Sequence, residues 1–199
     1  MIEIEGFILV GGASSRMGTD KAQLHLDGQT FVERIRRALS LAGAQTSLVG
    51  ALEESATWHL PVVADVYRKW GALGGLHAAL AACRAPWAAV VACDLPFVTG
   101  ELFMHLASLR ENFDAVVPVE QDGRPQPLCA LYRVEPCRKR AEELIAAGEH
   151  RPRALLRAVE TRWVAMADLA DIKGAPLFFT NVNTPEDYLE ARKAVTGNK

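Results

Sequence analysis

The sequence has no long apolar run, no excess of either charge, no paired-cysteine motif and no repeated or low-complexity segment, and each absence removes a class of protein. The apolar run near the N-terminus, Phe7 to Val10, is far too short for a signal peptide or a membrane span, and two acids rather than a basic leader precede it. A cytoplasmic chain that does not enter a membrane is expected. With 22 Lys+Arg against 24 Asp+Glu the formal charge is −2, so no global basic field holds nucleic acid or an anionic membrane surface. An anionic ligand has to be caught locally. Cys83, Cys93, Cys129 and Cys137 form no Cys-x-x-Cys pair, and the five histidines lack metal-ligand spacing, which speaks against a zinc site and a disulfide framework. No Ser-His or Cys-His constellation offers a covalent nucleophile. The 15 Gly and 10 Pro are spread along the 199 residues, which excludes collagen and disorder, and the length suits one domain, 1–199, with one sizeable core.

What is there alternates strands with helices. Gly6 to Val10 is a short buried strand that ends in Gly11-Gly12. Thr30 with Glu33 is a capping box, and Val32, Ile35, Leu39 and Ala42 then recur at helical spacing up to Gly43. Apolar runs return at 46–49 and 61–64, and an alanine-rich helix is expected over 73–83. Trp87 to Cys93 is apolar on both faces and stops at Asp94, as a central strand of a mostly parallel sheet does. Thr99 caps a helix through Arg110, and 115–118 with 128–132 read as a strand pair around Asp122-Gly123. Helices follow over 135–147 and 152–159, an extended segment over 178–183, and a last helix that Pro185 opens behind its cap Thr184. The pattern predicts an α/β chain with a doubly wound sheet in three layers, α/β/α, mostly parallel with an antiparallel excursion in the second half.

The densest chemistry lies in Leu9-Val-Gly-Gly-Ala-Ser-Ser-Arg-Met-Gly-Thr-Asp-Lys21. Glycines and small hydroxyl residues let backbone N–H groups approach an anion, while Arg16 and Lys21 supply positive charge. It is neither a Walker loop, since Arg16 and Met17 stand where the second glycine belongs, nor Gly-x-Gly-x-x-Gly. A glycine pair alone is more often a plain turn, but two cations within six residues weaken that alternative. Asp94, just beyond a central strand, is placed to bind a ligand or Mg²⁺, or simply to begin the turn before Pro96. Asn181 and Asn183 alternate, so a regular strand would turn both to one side, while turn chemistry before Pro185 is the plainer account.

Taken together, Leu9-x-Gly-Gly-x-Ser-x-Arg-Met-Gly-x-Asp-Lys21, Asp65 with Gly71-Ala-Leu-Gly-Gly75, Cys93-Asp-Leu-Pro96 and Asn181-Val-Asn-Thr-Pro-Glu-Asp187 resemble the molybdenum cofactor guanylyltransferases in order and rough spacing over almost the whole chain. The resemblance implies a Rossmann-like nucleotidyltransferase fold and transfer of GMP from GTP onto molybdopterin. It implies that the backbone of Leu9, Val10, Gly11 and Gly12 contacts nucleotide, that Lys21 holds its phosphates with Arg16 assisting, that Asp65 contacts the nucleoside and that Asp94 binds Mg²⁺. Asn181 and Asn183 resemble the family's substrate-side asparagines. Proteins that donate or receive the cofactor are the further partners it implies.

Two departures stand out. Where the family usually has a polar segment with Asn and Arg after the second strand, this chain has Val49-Gly-Ala-Leu-Glu-Glu54, which shifts base recognition toward backbone groups and Asp65. Ala72 replaces the proline common before the Gly-Gly, which should loosen that loop slightly. Trp70 stands beside the same loop, at the border of the expected pocket. The charges of the second half mostly mark solvated helix faces, with Glu149 to Arg153 as a subset able to meet a phosphate or a partner. Two rivals stay open: the same chemistry with another base or acceptor, as in a cytidylyltransferase or a sugar-phosphate nucleotidylyltransferase, and a non-catalytic GTP-binding module that delivers the cofactor.

Overall fold

The computed structural model of the chain describes residues 3–10, 21–50, 58–67 and 70–196, with Lys21 through its backbone alone. Its strands are β1 (Ile4–Leu9), β2 (His25–Leu26), β3 (Gln29–Thr30), β4 (Gln45–Val49), β5 (Val62–Val63), β6 (Trp87–Ala92), β7 (Ala115–Val119), β8 (Cys129–Arg133) and β9 (Thr161–Ala165). Its helices are α1 (Phe31–Leu41), α2 (Gly71–Ala82), α3 (Gly100–Ser108), α4 (Val134–Ala146), α5 (Pro152–Ala158) and α6 (Pro185–Thr196). Among the described residues, seven strands form one sheet in the order β5-β4-β1-β6-β8-β7-β9, while β2 and β3 make a small hairpin of their own. Neighbours are parallel except at β8, which runs antiparallel to both β6 and β7.

The two-residue side-chain period of a strand divides the core into two layers. Ile4 and Ile8 of β1, Ala89 and Val91 of β6 and Leu131 of β8 bury against α1 and α3 on one face. Phe7, Ala88, Val90 and Tyr132 bury against α2, α4 and α5 on the other. Strands covered on both faces read as unbroken apolar runs, which is why β6 carries no polar residue before Asp94. A smaller apolar cluster with Leu26, Phe31, Phe97, Val182 and Ala191 fastens α6 and the β2–β3 hairpin to the sheet's end. The expected three-layer, mostly parallel α/β architecture is therefore the observed one, and β8 is the antiparallel excursion.

Local sequence chemistry sets the element ends. Thr30 accepts from Glu33 N–H at 3.1 Å while the Glu33 carboxylate accepts from Thr30 N–H at 2.7 Å, so the capping box forms at the start of α1. Thr99 caps α3 through Leu102 N–H, and Thr184 with Asp187 closes a reciprocal pair of bonds at the start of α6. The β7–β8 turn is held by Gly123 N–H on the Glu120 carbonyl and Glu120 N–H on the Arg124 carbonyl. Two features differ from the sequence reading. The segment 178–183 is not a strand: a 3₁₀ turn over Ala175–Leu177 precedes it and Phe178 has helical backbone angles, so Phe178 and Phe179 reach the core from a turn. The strands β2, β3 and β9 had no expectation at all. Among the described residues no helix is long and apolar enough to cross a membrane.

Candidate active site

The parallel strands end in register, with Leu9 opposite both Val49 and Ala92, and Val49 opposite Val63. Their first residues beyond the ladder are stitched together. Val10 N–H donates to the Val49 carbonyl at 2.9 Å, Gly50 N–H to the Val63 carbonyl at 3.0 Å, and Cys93 N–H to the Leu9 carbonyl at 3.0 Å. Gly50 is obligatory here, because its φ is +122° and a Cβ would lie 1.9 Å from the Val10 carbonyl oxygen. The connection after β1 packs α1 on one face and returns to β4, whereas the connection through α2 packs on the other face and returns to β6. The chain thus reverses its direction of travel between β1 and β6, and the crevice at such a switch point is where open α/β sheets bind ligands. Leu9 and Val10 form one lip of that crevice and Asp94 the other.

Asp94 sits two residues beyond β6, partly exposed, with its Oδ1 withdrawn from solvent. Its backbone carbonyl accepts from Val182 N–H at 3.0 Å, a bond that carries the 181–183 segment across from the start of α6. Val182 is fully buried, Asn181 is half-buried and Asn183 is exposed, so only the middle residue points into the core. The Asn181 amide donates back to the Phe179 carbonyl at 3.4 Å, and Asn183 N–H donates to Asp187. The backbone of the 181–183 segment therefore lies against Asp94 by a turn rather than by a strand. Asp65 lies two residues beyond β5 and is half-buried, on the same edge of the sheet. Gly11, Gly12, Arg16 and Asp20 lie outside the described residues, as does the Lys21 side chain; the Lys21 backbone opens a 3₁₀ turn, Lys21–Gln23, that packs on α1.

Among the described residues no group of three or more His, Cys, Asp and Glu gathers to hold a metal. Among the described residues Asp94 is a hard-oxygen donor at the crevice, of the kind that suits Mg²⁺, which takes one or two carboxylates with phosphate oxygens and water completing its octahedron. It does not fit zinc.

The glycines of Gly71-Ala-Leu-Gly-Gly75 serve packing in addition to loop freedom. A Cβ on Gly74 would lie 2.8 Å from the Trp70 Cβ, so Gly74 lets the segment before α2 fold back on the helix, and one on Gly75 would lie 3.2 Å from Leu9 Cδ2, so Gly75 lets α2 approach β1 closely. Several supporting contacts carried no signal in the sequence, although Trp70 and the Glu149 to Arg153 subset were noted there. Half-buried Arg34 donates to the Pro96 carbonyl at 3.1 Å and to the Leu26 carbonyl at 3.4 Å, bracing the loop after Asp94 against the hairpin, and burial lowers its pKa. His77 on α2, buried, meets Glu142 of α4 at 3.2 Å, and that hydrogen bond lowers the Glu142 pKa. Trp70 reaches Glu149 and His150, residues far away in the chain.

A three-layer, doubly wound α/β sheet with its switch point between β1 and β6 defines a Rossmann-like protein that binds its ligand beyond the carboxyl ends of the strands. Residues 6–165 match the MobA-like NTP transferase domain, and the chain belongs to that family. It is 33% identical to "Probable molybdenum cofactor guanylyltransferase" of Pelotomaculum thermopropionicum over 96% of this chain and 93% of that one. It is 30% identical to the protein of the same name from Bacillus cereus strain AH820 over 97% and 98% of the two chains. The crystal structure of molybdopterin-guanine dinucleotide biosynthesis protein A from Archaeoglobus fulgidus superposes with a TM-score of 0.81 at 26% identity, covering 97% of this chain and 99% of that one.

Proposed function

We propose that this protein transfers GMP from GTP to the terminal phosphate of molybdopterin and releases pyrophosphate. The observation that carries the reading is the match of residues 6–165 to the MobA-like NTP transferase domain, and the backbone bond from Val182 N–H to the Asp94 carbonyl is in keeping with a shared site. The names of full-length relatives support the choice of guanine and of the acceptor.

The acceptor phosphate attacks the α-phosphorus in line, so the chain needs no nucleophile of its own and works by positioning and charge stabilisation. The backbone from Leu9 to Gly12 cradles the nucleotide, Lys21 and Arg16 hold the phosphates, Asp65 meets the nucleoside, and Asn181 and Asn183 orient the acceptor side. Asp94 would hold Mg²⁺, which supplies neutralisation of phosphate charge when bound. The reaction belongs in the cytoplasm, with cofactor-donating and cofactor-receiving proteins as partners, and involves neither nucleic acid nor membrane. The test is pyrophosphate release from GTP, CTP, UTP and ATP, each with and without molybdopterin and Mg²⁺. Release confined to GTP with molybdopterin is expected. Equal release from CTP would defeat the guanine assignment, and GTP binding without turnover would favour a delivery module.

A further inference from the structure

The loop that carries Asp65 leaves β5, a strand of two residues at the edge of the sheet that pairs with β4, and enters α2, whose first turn has no side-chain cap. Within the loop, Trp70 N–H donates to the Tyr67 carbonyl at 3.2 Å. Further fastening comes from the other half of the chain. The Trp70 indole N–H donates to the Glu149 carbonyl at 2.7 Å across 79 residues, and the Trp70 ring stacks on His150 with centroids 4.3 Å apart at 18°. The turn that receives it is itself rigid: the Glu149 carboxylate accepts from His150 N–H, from Arg151 N–H and from the Arg151 guanidinium at 2.9 to 3.0 Å. Behind the loop, the Tyr67 ring stands edge-on to buried His77 at 4.9 Å. Trp70 is half-buried against the core layer of α2, α4 and α5, and His150 is exposed, so the stack joins the margin of that core to the turn after α4.

We infer that Trp70 and His150 are positioning residues for the nucleotide: their stack and the indole hydrogen bond clamp the Asp65 loop onto the turn after α4, holding Asp65 at the crevice. The inference rests on the proposed nucleotide site. It differs from a catalytic role, because both rings act through the loop that they hold and through no group of their own on the phosphates. A clamp that sets the loop's geometry acts on ground state and transition state alike, so its loss raises KM and leaves kcat.

The experiment uses the full-length Trp70→Ala, Trp70→Phe, His150→Ala and His150→Phe variants. It measures kcat and KM for GTP in pyrophosphate release, GTP affinity by calorimetry, and hydrogen exchange of the 64–67 amides. Losing one hydrogen bond and one ring stack should weaken GTP binding and raise KM about 10-fold in Trp70→Ala, with kcat held within about threefold. The 64–67 amides should exchange faster, and His150→Phe, which keeps a stacking ring, should recover most of what His150→Ala loses. An unchanged GTP affinity and KM in Trp70→Ala, or a fall confined to kcat, overturns the inference, as does unaltered exchange of the loop. If the wild type binds GTP without turnover, the transfer reading fails while the affinity and exchange measurements still decide the clamp. If it binds no GTP, both fail.

Discussion

Asp94 combines two jobs that the backbone and the side chain divide between them. The carbonyl anchors Val182, while the carboxylate stands at the end of a strand that is apolar on both faces. Asp94→Ala should therefore cut guanylyl transfer by about 10²–10³, the usual loss when one preorganised charge-stabilising group is removed. The metal-free melting temperature should stay within about 2 °C of wild type, since a side chain outside the packed core contributes little to stability. Transfer at saturating GTP across a Mg²⁺ titration, beside thermal melts, checks both halves. Activity within about fivefold of wild type would remove Asp94 from the mechanism, and a large drop in melting temperature would make it a structural turn residue. The residue scale also shows where sequence reading stops. Asp94 was visible because the apolar run from Trp87 to Cys93 ended on it, whereas Gly50 was not, because its necessity comes from the Val10 carbonyl that β1 brings against it.

At the scale of elements, the start of α1 shows one side chain serving two distant segments. Thr30 Oγ1 accepts from Glu33 N–H and also from the buried Trp58 indole N–H at 3.2 Å. Removing the hydroxyl in Thr30→Ala loses a cap worth about 1 kcal/mol and strands a buried donor at about 1–3 kcal/mol more. At roughly 2–4 °C per kcal/mol for a chain of this size, the melting temperature should fall by about 5–10 °C. Thr30→Ser keeps the oxygen and should recover most of it; a loss of under about 2 °C in Thr30→Ala would mean that water replaces the cap freely. Elements bounded by such local chemistry were legible: the capping box and Gly43 bracket α1, Thr99 opens α3, and Pro185 opens α6. Elements decided by tertiary contact were not. Strand β9 exposes Arg162 and Trp163 and shows no clean alternation, so only its pairing with β7 makes it a strand. In 178–183 the apolar Phe178 and Phe179 resembled a strand, but the 3₁₀ turn before them lets both rings bury without one. The clamp of Trp70 on the Glu149 turn is likewise invisible, because no periodicity links residues so far apart.

For the molecule as a whole, the protonation equilibria set a plateau of stability with two different edges. On the acid side, hydrogen bonds from Arg151 hold the Glu149 carboxyl down to about 2, and bonds from Thr30 and from His77 lower those of Glu33 and Glu142. In the unfolded chain these groups take up protons near their ordinary value of 4.5, while the fold keeps them ionised. Their contribution is complete above that value and is lost as pH falls toward about 2. All three sit near the surface, so solvent screens the effect and the acid edge is shallow. On the alkaline side, burial pushes the Cys83 and Cys137 thiols up to about 12 and raises Cys129 and Tyr132 as well. The unfolded chain sheds its thiol protons near 9.0, where the fold still retains them, so stability is full below that value and declines as pH rises toward about 12. Cys129, Tyr132 and Cys137 lie deep in the core, with Cys83 half-buried at its margin, which makes the alkaline edge the steeper one. Denaturant midpoints measured from about pH 3 to about pH 11 should show a plateau between roughly 5 and 8.5, then a gentle acid fall and a sharper alkaline one. Cys137→Ala removes one of the buried thiols, and although the lost packing lowers the plateau, the slope of the alkaline limb should flatten. An alkaline limb of unchanged slope in that variant would show that the buried thiols do not set this edge.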